Sequence, residues 1–299
     1  MVTPLAPQQL AGILPRQAVR MVQDALQAAG CPDADYDARE LLRIAAGKDP
    51  RLLFEPLTRP QAECLAELAA QRMQRVPLQY LAGEWDFLGL TFKVGPGVLC
   101  PRADSEVVCE TAIELLQQMG KPEPRVLDLC AGSGCIGLAI AAHAPGVRGV
   151  LGEYSDAALK ICRQNVRRCG LTARMIPMQV NALERPDRAL GEFQCIVSNP
   201  PYIPRNDIPE LDHSVRDYEP HLALDGGEDG LDFYRAICEK WTAALVPGGR
   251  LYFEVGIGQA DSVLRLMRAQ GFGDIQVVKD HNDIPRVVFG TLCSEVYSE

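Results

Sequence analysis

The chain has 299 residues, of which 47% are hydrophobic and 23% are charged, and its formal net charge is −9. This size is enough for one large and one small domain of ordinary globular composition. The acidic balance argues against a protein that holds nucleic acid mainly through its phosphates. No apolar run is long enough to span a bilayer, and no signal-peptide pattern opens the chain. We therefore expect a cytoplasmic protein with no membrane partner and no stable nucleic-acid partner.

Residues 1–83 carry helical periodicity and no strand signal, which predicts a small all-helical domain. We expect helices over residues 17–29 and 35–46, each followed by a glycine, and a third from Pro60 to about residue 75. The segment contains no candidate catalytic residues. Its expected roles are packing and the docking of a macromolecular substrate.

Residues 84–106 have β character, and Gly89 lies where a hairpin turn would need it. We predict that this segment is a β-hairpin connector. Asp104 or Ser105 is expected to cap the next helix, which runs to about residue 119.

Residues 107–299 alternate between strands and helices, which predicts an α/β domain with a mostly parallel, seven-stranded sheet covered on both faces. A short connection joins the last two strands, so we expect them to be antiparallel. The predicted strands are 125–129, 148–153, 174–180, 193–198, 249–255, 273–279 and 285–292. The predicted helices that follow the first strand are 135–144, 156–169, 229–245 and 259–270.

The 11 cysteines show neither the spacing of a disulfide framework nor that of zinc ligands. Several, such as Cys162 and Cys195, lie in apolar runs where a reduced thiol behaves as a small hydrophobe. The acidic cluster of Asp225, Glu228 and Asp229 lies among glycines, so a loop before a helix explains it better than a metal site. We expect reduced thiols and no metal.

The most informative stretch is Asn199-Pro200-Pro201-Tyr202, which follows a strand predicted to be buried. The prolines offer no N–H, so the backbone there can only accept hydrogen bonds. Asn199 adds a side-chain carbonyl, and Tyr202 adds a flat apolar face. These groups suit a planar –NH2 group, which is a poor nucleophile and must be aligned with a strong electrophile. We expect all four residues to bind substrate, and Asn199, Pro200 and Tyr202 to act in catalysis.

A glycine-rich turn at residues 130–134 follows the first predicted strand of the sheet and precedes a helix. Such a turn begins many nucleotide-binding α/β units, and Glu153, about twenty residues later, is placed to accept hydrogen bonds from ribose. The turn alone is weak support, because any tight strand-to-helix turn favours glycine. Combined with Asn-Pro-Pro-Tyr, it resembles a class I S-adenosylmethionine-dependent methyltransferase that acts on a planar nitrogen.

Motifs along nearly the whole chain resemble those of the HemK-type (PrmC-like) release factor glutamine methyltransferases. In the catalytic half they lie at residues 128–136, 153–159, 199–203, 218–220, 223–231 and 254–259, and in the front half at residues 37–42, 77–83 and 101–102. Asn-Pro-Pro-Tyr is shared by DNA adenine, RNA guanine and protein glutamine methyltransferases. The front-half motifs favour the glutamine enzymes.

The resemblance implies transfer of a methyl group from S-adenosylmethionine, with S-adenosylhomocysteine as product and no metal. The acceptor would be the side-chain amide N5 of the glutamine in the Gly-Gly-Gln motif of bacterial class I peptide chain release factors, and the enzyme is expected to be a monomer. The implied cofactor-binding residues are Cys130, Ala131, Gly132, Ser133, Gly134, Glu153, Asn181, Ala182 and Asn199.

Two of these residues depart from the usual pattern of the family. Glu153 and Asn181 stand where aspartate is common. The longer Glu153 should shift its loop slightly and still reach both ribose hydroxyls. Asn181 can accept from the adenine amino group but forms no charge-assisted hydrogen bond, so we expect weaker cofactor affinity.

Three alternatives remain at the level of sequence. They are a nucleic-acid adenine or guanine methyltransferase, a ribosomal-protein glutamine methyltransferase, and a non-enzymatic assembly factor that binds S-adenosylmethionine. The first uses the same four residues but usually has a basic surface or a target-recognition domain.

Overall fold

The computed structural model describes residues 3–293; the ends of the predicted domains, at 1–2 and 294–299, lie outside the described residues. The chain forms two compact units. One unit extends to Glu84 and includes Asp212–Tyr218, and the other contains Trp85–Leu211 and the residues from Glu219 onward. The domain boundaries proposed above, after residues 83 and 106, remain predictions.

Helices and strands follow the predicted order with some shifted ends. The helices are α1 Pro7–Leu10, α2 Pro15–Ala28, α3 Ala34–Ala46, α4 Arg59–Met73, α5 Leu78–Ala82, α6 Glu106–Gln118, α7 Cys135–His143, α8 Asp156–Arg168, α9 His213–Arg216, α10 Asp232–Lys240 and α11 Ala260–Ala269. The strands are β1 Glu84–Phe87, β2 Leu90–Lys93, β3 Arg125–Leu129, β4 Arg148–Glu153, β5 Met175–Gln179, β6 Phe193–Ser198, β7 Leu245–Glu254, β8 Phe272–Lys279 and β9 Pro285–Leu292.

The helical unit has its core between α2, α3 and α4, which pack against one another. Val22 and Leu26 of α2 are fully buried there, as expected for an amphipathic helix with one apolar face. A buried ion pair joins α4 to α3, with Arg72 Nε 2.7 Å from Asp37 Oδ2. Asp37, part of a front-half motif, therefore has a packing role in this unit. Helices α1 and α5 were not predicted because four or five residues are too short to show a helical period.

The segment Asp212–Tyr218 joins the helical unit through polar contacts. The guanidinium of Arg75 donates to the carboxylate of Asp212 and to the carbonyl of Gly30. The hydroxyl of Tyr218 donates to the Gln74 carbonyl at 2.8 Å. These contacts tie a segment that follows Asn-Pro-Pro-Tyr in sequence to residues of the helical unit.

Seven strands of the second unit form one sheet in the order β5-β4-β3-β6-β7-β9-β8. Strands β3 to β7 pair in parallel, whereas β9 is antiparallel to both β7 and β8. The predicted mostly parallel sheet with an antiparallel last strand is confirmed. The connector also folds as predicted, since β1 and β2 pair around a turn in which Leu88 and Gly89 both have positive φ.

The predicted bounds of two elements in the second unit were wrong. Strand β7 begins at Leu245 instead of near 249, because its pairing with β6 resumes across an irregular register between Phe193 and Cys195. Helix α10 is shorter than the predicted 229–245. Gly230, at a φ of 75°, delays its start, and a 3-10 turn at Thr242–Ala244 follows its end.

The strand order reverses between β3 and β6, and this reversal positions the site. After β3 the chain continues to β4 on one side, and after β6 it continues to β7 on the other. Leu129 pairs in register with both Gly152 and Ser198. The turns after these three strands therefore meet at one edge of the sheet, where α/β proteins of this kind bind ligands.

Candidate active site

A cavity of about 440 Å³ opens at this edge of the sheet. The predicted site residues that line it are Cys130, Gly132, Glu153, Asn181, Ala182, Asn199 and Pro201. The other predicted residues belong to the same turns but do not form its wall: Ala131, Ser133, Gly134, Pro200 and Tyr202. The binding and catalytic roles assigned to all of these residues stay predictions.

Much of the remaining wall is apolar and was not predicted. It includes Val98 and Leu99 from the connector, Leu222 and Ala223 after residue 219, and Phe233 from α10. Apolar side chains at such positions cannot be told from core residues in the sequence, so no signal pointed to them.

The two glycines of the turn at 130–134 have different surroundings. Gly132 has a φ of 55°, and a Cβ added there would meet no other atom within 4 Å, so the space beside it is open. Gly134 has a φ of 82°, and a Cβ there would lie 2.9 Å from Cys162 Sγ of α8. Gly132 therefore allows close approach of a ligand, whereas Gly134 serves the packing of the turn on α8.

Glu153, the last residue of β4, holds the turn in place. Its Oε2 accepts a hydrogen bond from the Gly132 backbone N–H at 2.8 Å, and its Oε1 accepts from the Ser155 backbone N–H at 2.7 Å. The residue is only 9% exposed, yet it lines the cavity. A carboxylate oxygen has two acceptor sites, so each oxygen can accept one further hydrogen bond from a ligand.

Asn181, which follows β5 and lines the cavity, is held by local hydrogen bonds. Its Oδ1 accepts from the Leu183 backbone N–H at 3.0 Å, and its Nδ2 donates to Glu184 Oε1 at 3.0 Å. This is an Asx-type turn, which leaves one lone pair of the Asn181 carbonyl oxygen for a ligand.

Asn199 is held by a side-chain hydrogen bond at the end of β6. Its Nδ2 donates to Ser105 Oγ at 3.3 Å. With the amide nitrogen engaged, the carbonyl oxygen Oδ1 is the group that can accept a hydrogen bond from a substrate. Ser105 is not the helix cap that the sequence suggested: at φ −74° and ψ −13° its backbone is already helical, and its side chain makes no capping bond.

Tyr202 is held mainly through its backbone. Its carbonyl accepts a hydrogen bond from Gln259 Nε2 at 2.9 Å, and Gln259 Oε1 accepts from the Gly256 N–H at 3.0 Å. Burial, together with the charge of Glu254, raises the pKa of the Tyr202 hydroxyl to about 12. The ring is therefore neutral at physiological pH.

Glu254, the last residue of β7, is buried beside Asn199. It is 2% exposed, and burial raises the pKa of its carboxyl to about 7, although hydrogen bonds from Ser105 and Asn199 and the charge of Arg286 oppose this rise. Its Oε2 has no hydrogen-bond partner among residues 3–293. Because Ser198 pairs in register with Phe253, Glu254 lies next to Asn199 at the end of the neighbouring strand.

A second buried carboxyl connects two of the motifs. Arg102 Nη2 donates to Glu219 Oε1 at 2.6 Å, and burial raises the pKa of the Glu219 carboxyl. The next residue, Pro220, lines the cavity. The ion pair therefore joins the Pro-Arg segment of the connector to the loop that closes one side of the site.

Two of the three acidic residues in the cluster after this loop pair with arginines. Arg205 Nε lies 2.9 Å from Asp225 Oδ2, and Arg235 pairs with Asp229. Within the described chain, no three His, Cys, Asp or Glu side chains come together as a metal-ligand group. In that same part of the chain, no helix combines the length and apolar character needed to cross a membrane.

Comparison with known proteins relates both units to one family. The model of the PrmC N-terminal domain matches residues 17–83, and that of the methyltransferase small domain matches residues 90–212. The release factor glutamine methyltransferase of Geobacter sulfurreducens is 41% identical over 88% of this chain and 91% of its own length. That of Bradyrhizobium diazoefficiens is 38% identical over 96% of this chain and 97% of its own length.

Solved structures agree on the fold. The N-terminal domain of human METTL16, in complex with S-adenosylhomocysteine, superposes with a TM-score of 0.51 at 14% identity, covering 69% of this chain and 76% of that one. At this level of identity the likeness concerns the fold alone, which is that of the class I S-adenosylmethionine-dependent methyltransferases.

Proposed function

The chain belongs to the family of release factor glutamine methyltransferases, and on this basis we propose that it methylates the side-chain amide N5 of a release-factor glutamine. The acceptor is the glutamine of the Gly-Gly-Gln motif of bacterial class I peptide chain release factors. The methyl donor is S-adenosylmethionine, and S-adenosylhomocysteine is the product. The enzyme acts as a monomer and needs no metal.

The observation that carries the proposal is how the Asn199 side chain is hydrogen-bonded at the cavity wall. Its amide nitrogen is bonded to Ser105, while the residue lines the cavity. An accepting oxygen fixed at the cavity wall, next to the prolines that offer no N–H, suits a substrate group that brings only N–H donors. The side-chain amide of glutamine presents two such donors on one nitrogen.

The residues around the cavity fit S-adenosylmethionine. The volume of about 440 Å³ is within the usual range of small-molecule sites, about 300–1,000 Å³. Glu153 would accept from the ribose hydroxyls, and Asn181 with the backbone of Ala182 would hold the adenine. The open space beside Gly132 would let the ligand approach the turn closely. When bound, the cofactor supplies an electrophilic methyl group on a sulfonium centre.

In the proposed mechanism the protein's main task is to hold the amide nitrogen at reacting distance. Asn199 Oδ1 and the Pro200 carbonyl would accept its two N–H groups, and the ring of Tyr202 would pack on the amide plane. Pro200 and Tyr202 are not part of the cavity wall but flank Pro201, which is. Orientation of this kind can supply most of the rate enhancement. The same acceptors stabilise the positive charge that develops on the nitrogen. No strong general base is required, because the methylated amide loses its proton to water afterwards.

The helical unit is proposed to dock the folded part of the release factor. It carries a groove of about 870 Å³ that combines arginines with apolar side chains. Among the groove residues, Phe54 is 78% exposed, and the neighbouring Leu52 is 67% exposed. Exposed aromatic residues beside arginines are typical of protein interfaces.

Phe54→Ala tests the docking role. Loss of one apolar anchor should raise KM for intact release factor about threefold to tenfold, on the order of 1 kcal/mol, and leave turnover of a short Gly-Gly-Gln peptide unchanged. Ile176→Ala, at an exposed position on β5, is the matched control and should change neither KM for the release factor nor turnover of the peptide. If Phe54→Ala loses activity equally on the release factor and on the peptide, the groove serves folding and has no docking role.

The proposed substrate is tested by incubating the enzyme with labelled S-adenosylmethionine and separate pools of release factor, ribosomal protein and nucleic acid. We expect label on the release factor. Label on nucleic acid alone would contradict the proposal, label on ribosomal protein alone would identify the related glutamine enzyme, and tight cofactor binding without transfer would indicate an assembly factor.

A further inference from the structure

We propose that Glu254 is a positioning residue, which in its ionised form holds the Asn199 amide with its nitrogen turned away from the substrate and its oxygen turned towards it. This inference rests on the proposed function, because it names how the acceptor for the glutamine amide is oriented.

The first support is the arrangement of hydrogen bonds behind Asn199. The Asn199 nitrogen donates to Ser105 Oγ at 3.3 Å. Ser198 pairs in parallel register with Phe253, so the next residues, Asn199 and Glu254, lie side by side at the ends of β6 and β7. An asparagine amide is nearly symmetrical in shape, so only its hydrogen-bond partners decide which end faces the substrate. A carboxylate can only accept, and it therefore selects the orientation in which the nitrogen faces it.

The second support is the incomplete hydrogen bonding of Glu254. Its Oε2 is buried without a partner among the described residues. Leaving a buried carboxylate oxygen unsatisfied is unfavourable, so a purely structural role would be better served by an apolar residue of similar size. A charge retained at such a position is better explained by its effect on Asn199.

Protonation of Glu254 would remove this control. A protonated carboxyl gains an O–H donor, which can donate to Asn199 Oδ1 and compete with the substrate amide. Because burial raises the pKa of this carboxyl to about 7, the change falls within an accessible pH range. The active form is the ionised one, so kcat should rise as the pH increases through about 7 and then level off.

Arg286, two tyrosines and two cysteines interact with Glu254, and none of these five titrates in this range. Burial raises the pKa of Asp128 to about 7 as well, but this carboxyl accepts from the Gly137 N–H at 2.8 Å in the helix after the glycine turn, so its titration should change the Kd of the cofactor. Arg286 stays charged and pairs with Asp104 at 2.9 Å and Asp280 at 2.9 Å. Burial raises the pKa of each of the other titratable groups that interact with Glu254, which keeps them neutral: Tyr202, Tyr234, Cys109 and Cys135.

The test compares the wild-type enzyme with Glu254→Gln on intact release factor between pH 5.5 and 9. Glutamine keeps the shape but brings an N–H donor that can turn Asn199 around. We expect kcat to fall about tenfold to a hundredfold at pH 8, less than the loss of a direct contact, and the inflection near pH 7 to disappear. The Kd of S-adenosylmethionine, measured by calorimetry, should stay within about twofold of the wild-type value, since the expected loss is confined to the transition state.

Two further variants complete the test. Glu254→Asp keeps the charge and should restore the pH inflection and part of the rate. Glu106→Gln, a neighbouring carboxylate that accepts from the Leu88 N–H at 2.8 Å, is the control and should leave kcat and its pH profile unchanged.

The inference is overturned if Glu254→Gln keeps wild-type kcat, or if it loses rate while the pH inflection persists. If this variant does not fold, the wild-type profile decides, because a kcat that is flat from pH 6 to 8.5 contradicts the inference. Failure of the wild-type enzyme to methylate release factor at any pH would instead count against the proposed function.

Discussion

Two carboxylates at the ends of parallel strands, Glu153 and Glu254, are almost equally buried but are bonded differently. Both oxygens of Glu153 accept from backbone N–H groups, of Gly132 and Ser155. Glu254 lies beside the side chain of Asn199 at the end of the neighbouring strand, and one of its oxygens has no partner in the described part of the chain. Backbone amides cannot turn away, whereas side chains can rotate. The first site therefore provides a fixed acceptor for a ligand, and the second can control a neighbouring side chain.

Glu153 lies where we propose that the cofactor binds, and Glu254 lies beside Asn199, where we propose that the substrate amide binds. Asn199→Ala should distinguish these two parts of the site most clearly. The variant removes an acceptor from the amide end, so we expect it to lose about 2–4 kcal/mol of transition-state stabilisation, or about 10²–10³ in kcat. Cofactor affinity, measured by calorimetry, should change far less. Turnover close to that of the wild type would remove Asn199 from the mechanism.

Glu153→Ala is the corresponding change at the cofactor end. It should weaken S-adenosylmethionine and S-adenosylhomocysteine alike by about 1.5–3 kcal/mol, because hydrogen bonds to a charged group are lost. Glu123→Ala, a surface carboxylate paired with Arg148, is the matched control. Unchanged affinity in the Glu153 variant would place the ribose site elsewhere.

Variants of the two glycines of the turn, Gly132 and Gly134, should differ in whether they affect stability or cofactor affinity more. Gly134→Ala combines an unfavourable φ with a 2.9 Å approach to Cys162, so we expect it to lower the free energy of unfolding by about 1–3 kcal/mol. Gly132→Ala shares the unfavourable φ but meets no close contact, so it should lower the free energy of unfolding less than Gly134→Ala and reduce cofactor affinity more. Thermal unfolding and calorimetry on both variants measure the two effects, and the reverse pattern would exchange the roles of the two glycines.

Ser105→Ala is expected to have the smallest effect. It removes the hydrogen bond from the Asn199 nitrogen to Ser105 Oγ while the neighbouring Glu254 remains, so kcat should fall about threefold to tenfold, on the order of 1 kcal/mol. The Kd of the cofactor should stay constant. A loss as large as that of Asn199→Ala would mean that Ser105, and not Glu254, fixes the amide.

The sequence predicted the parts of the site in which polar residues follow a buried strand. Glu153 and Asn199 fall at strand ends, and the parallel sheet brings those ends together. Ser105 was assigned to helix capping, because serine before a helix usually has that role and only the tertiary fold shows its side chain beside Asn199. Leu222 and Phe233 were missed, since apolar residues look the same whether they line a cavity or fill a core.

Prediction of the fold from local sequence patterns was limited in the same way. The periodicity of long segments predicted α2, α3 and the strands of the sheet, but the placement of β9 between β7 and β8 depends on pairing that no local pattern encodes. Likewise, residues 212–218 lie in the second half of the chain, and only their contacts through Arg75 and Gln74 assign them to the helical unit.

The central claim is that this enzyme methylates an amide nitrogen held by Asn199. It is tested most directly by fragment-ion mass spectrometry of release factor after incubation with S-adenosylmethionine and either wild-type or Asn199→Ala enzyme. The account predicts one added methyl group on the side chain of the Gly-Gly-Gln glutamine with the wild-type enzyme, and almost none with the variant. A methyl group on any other residue, or equal methylation by both enzymes, would contradict it.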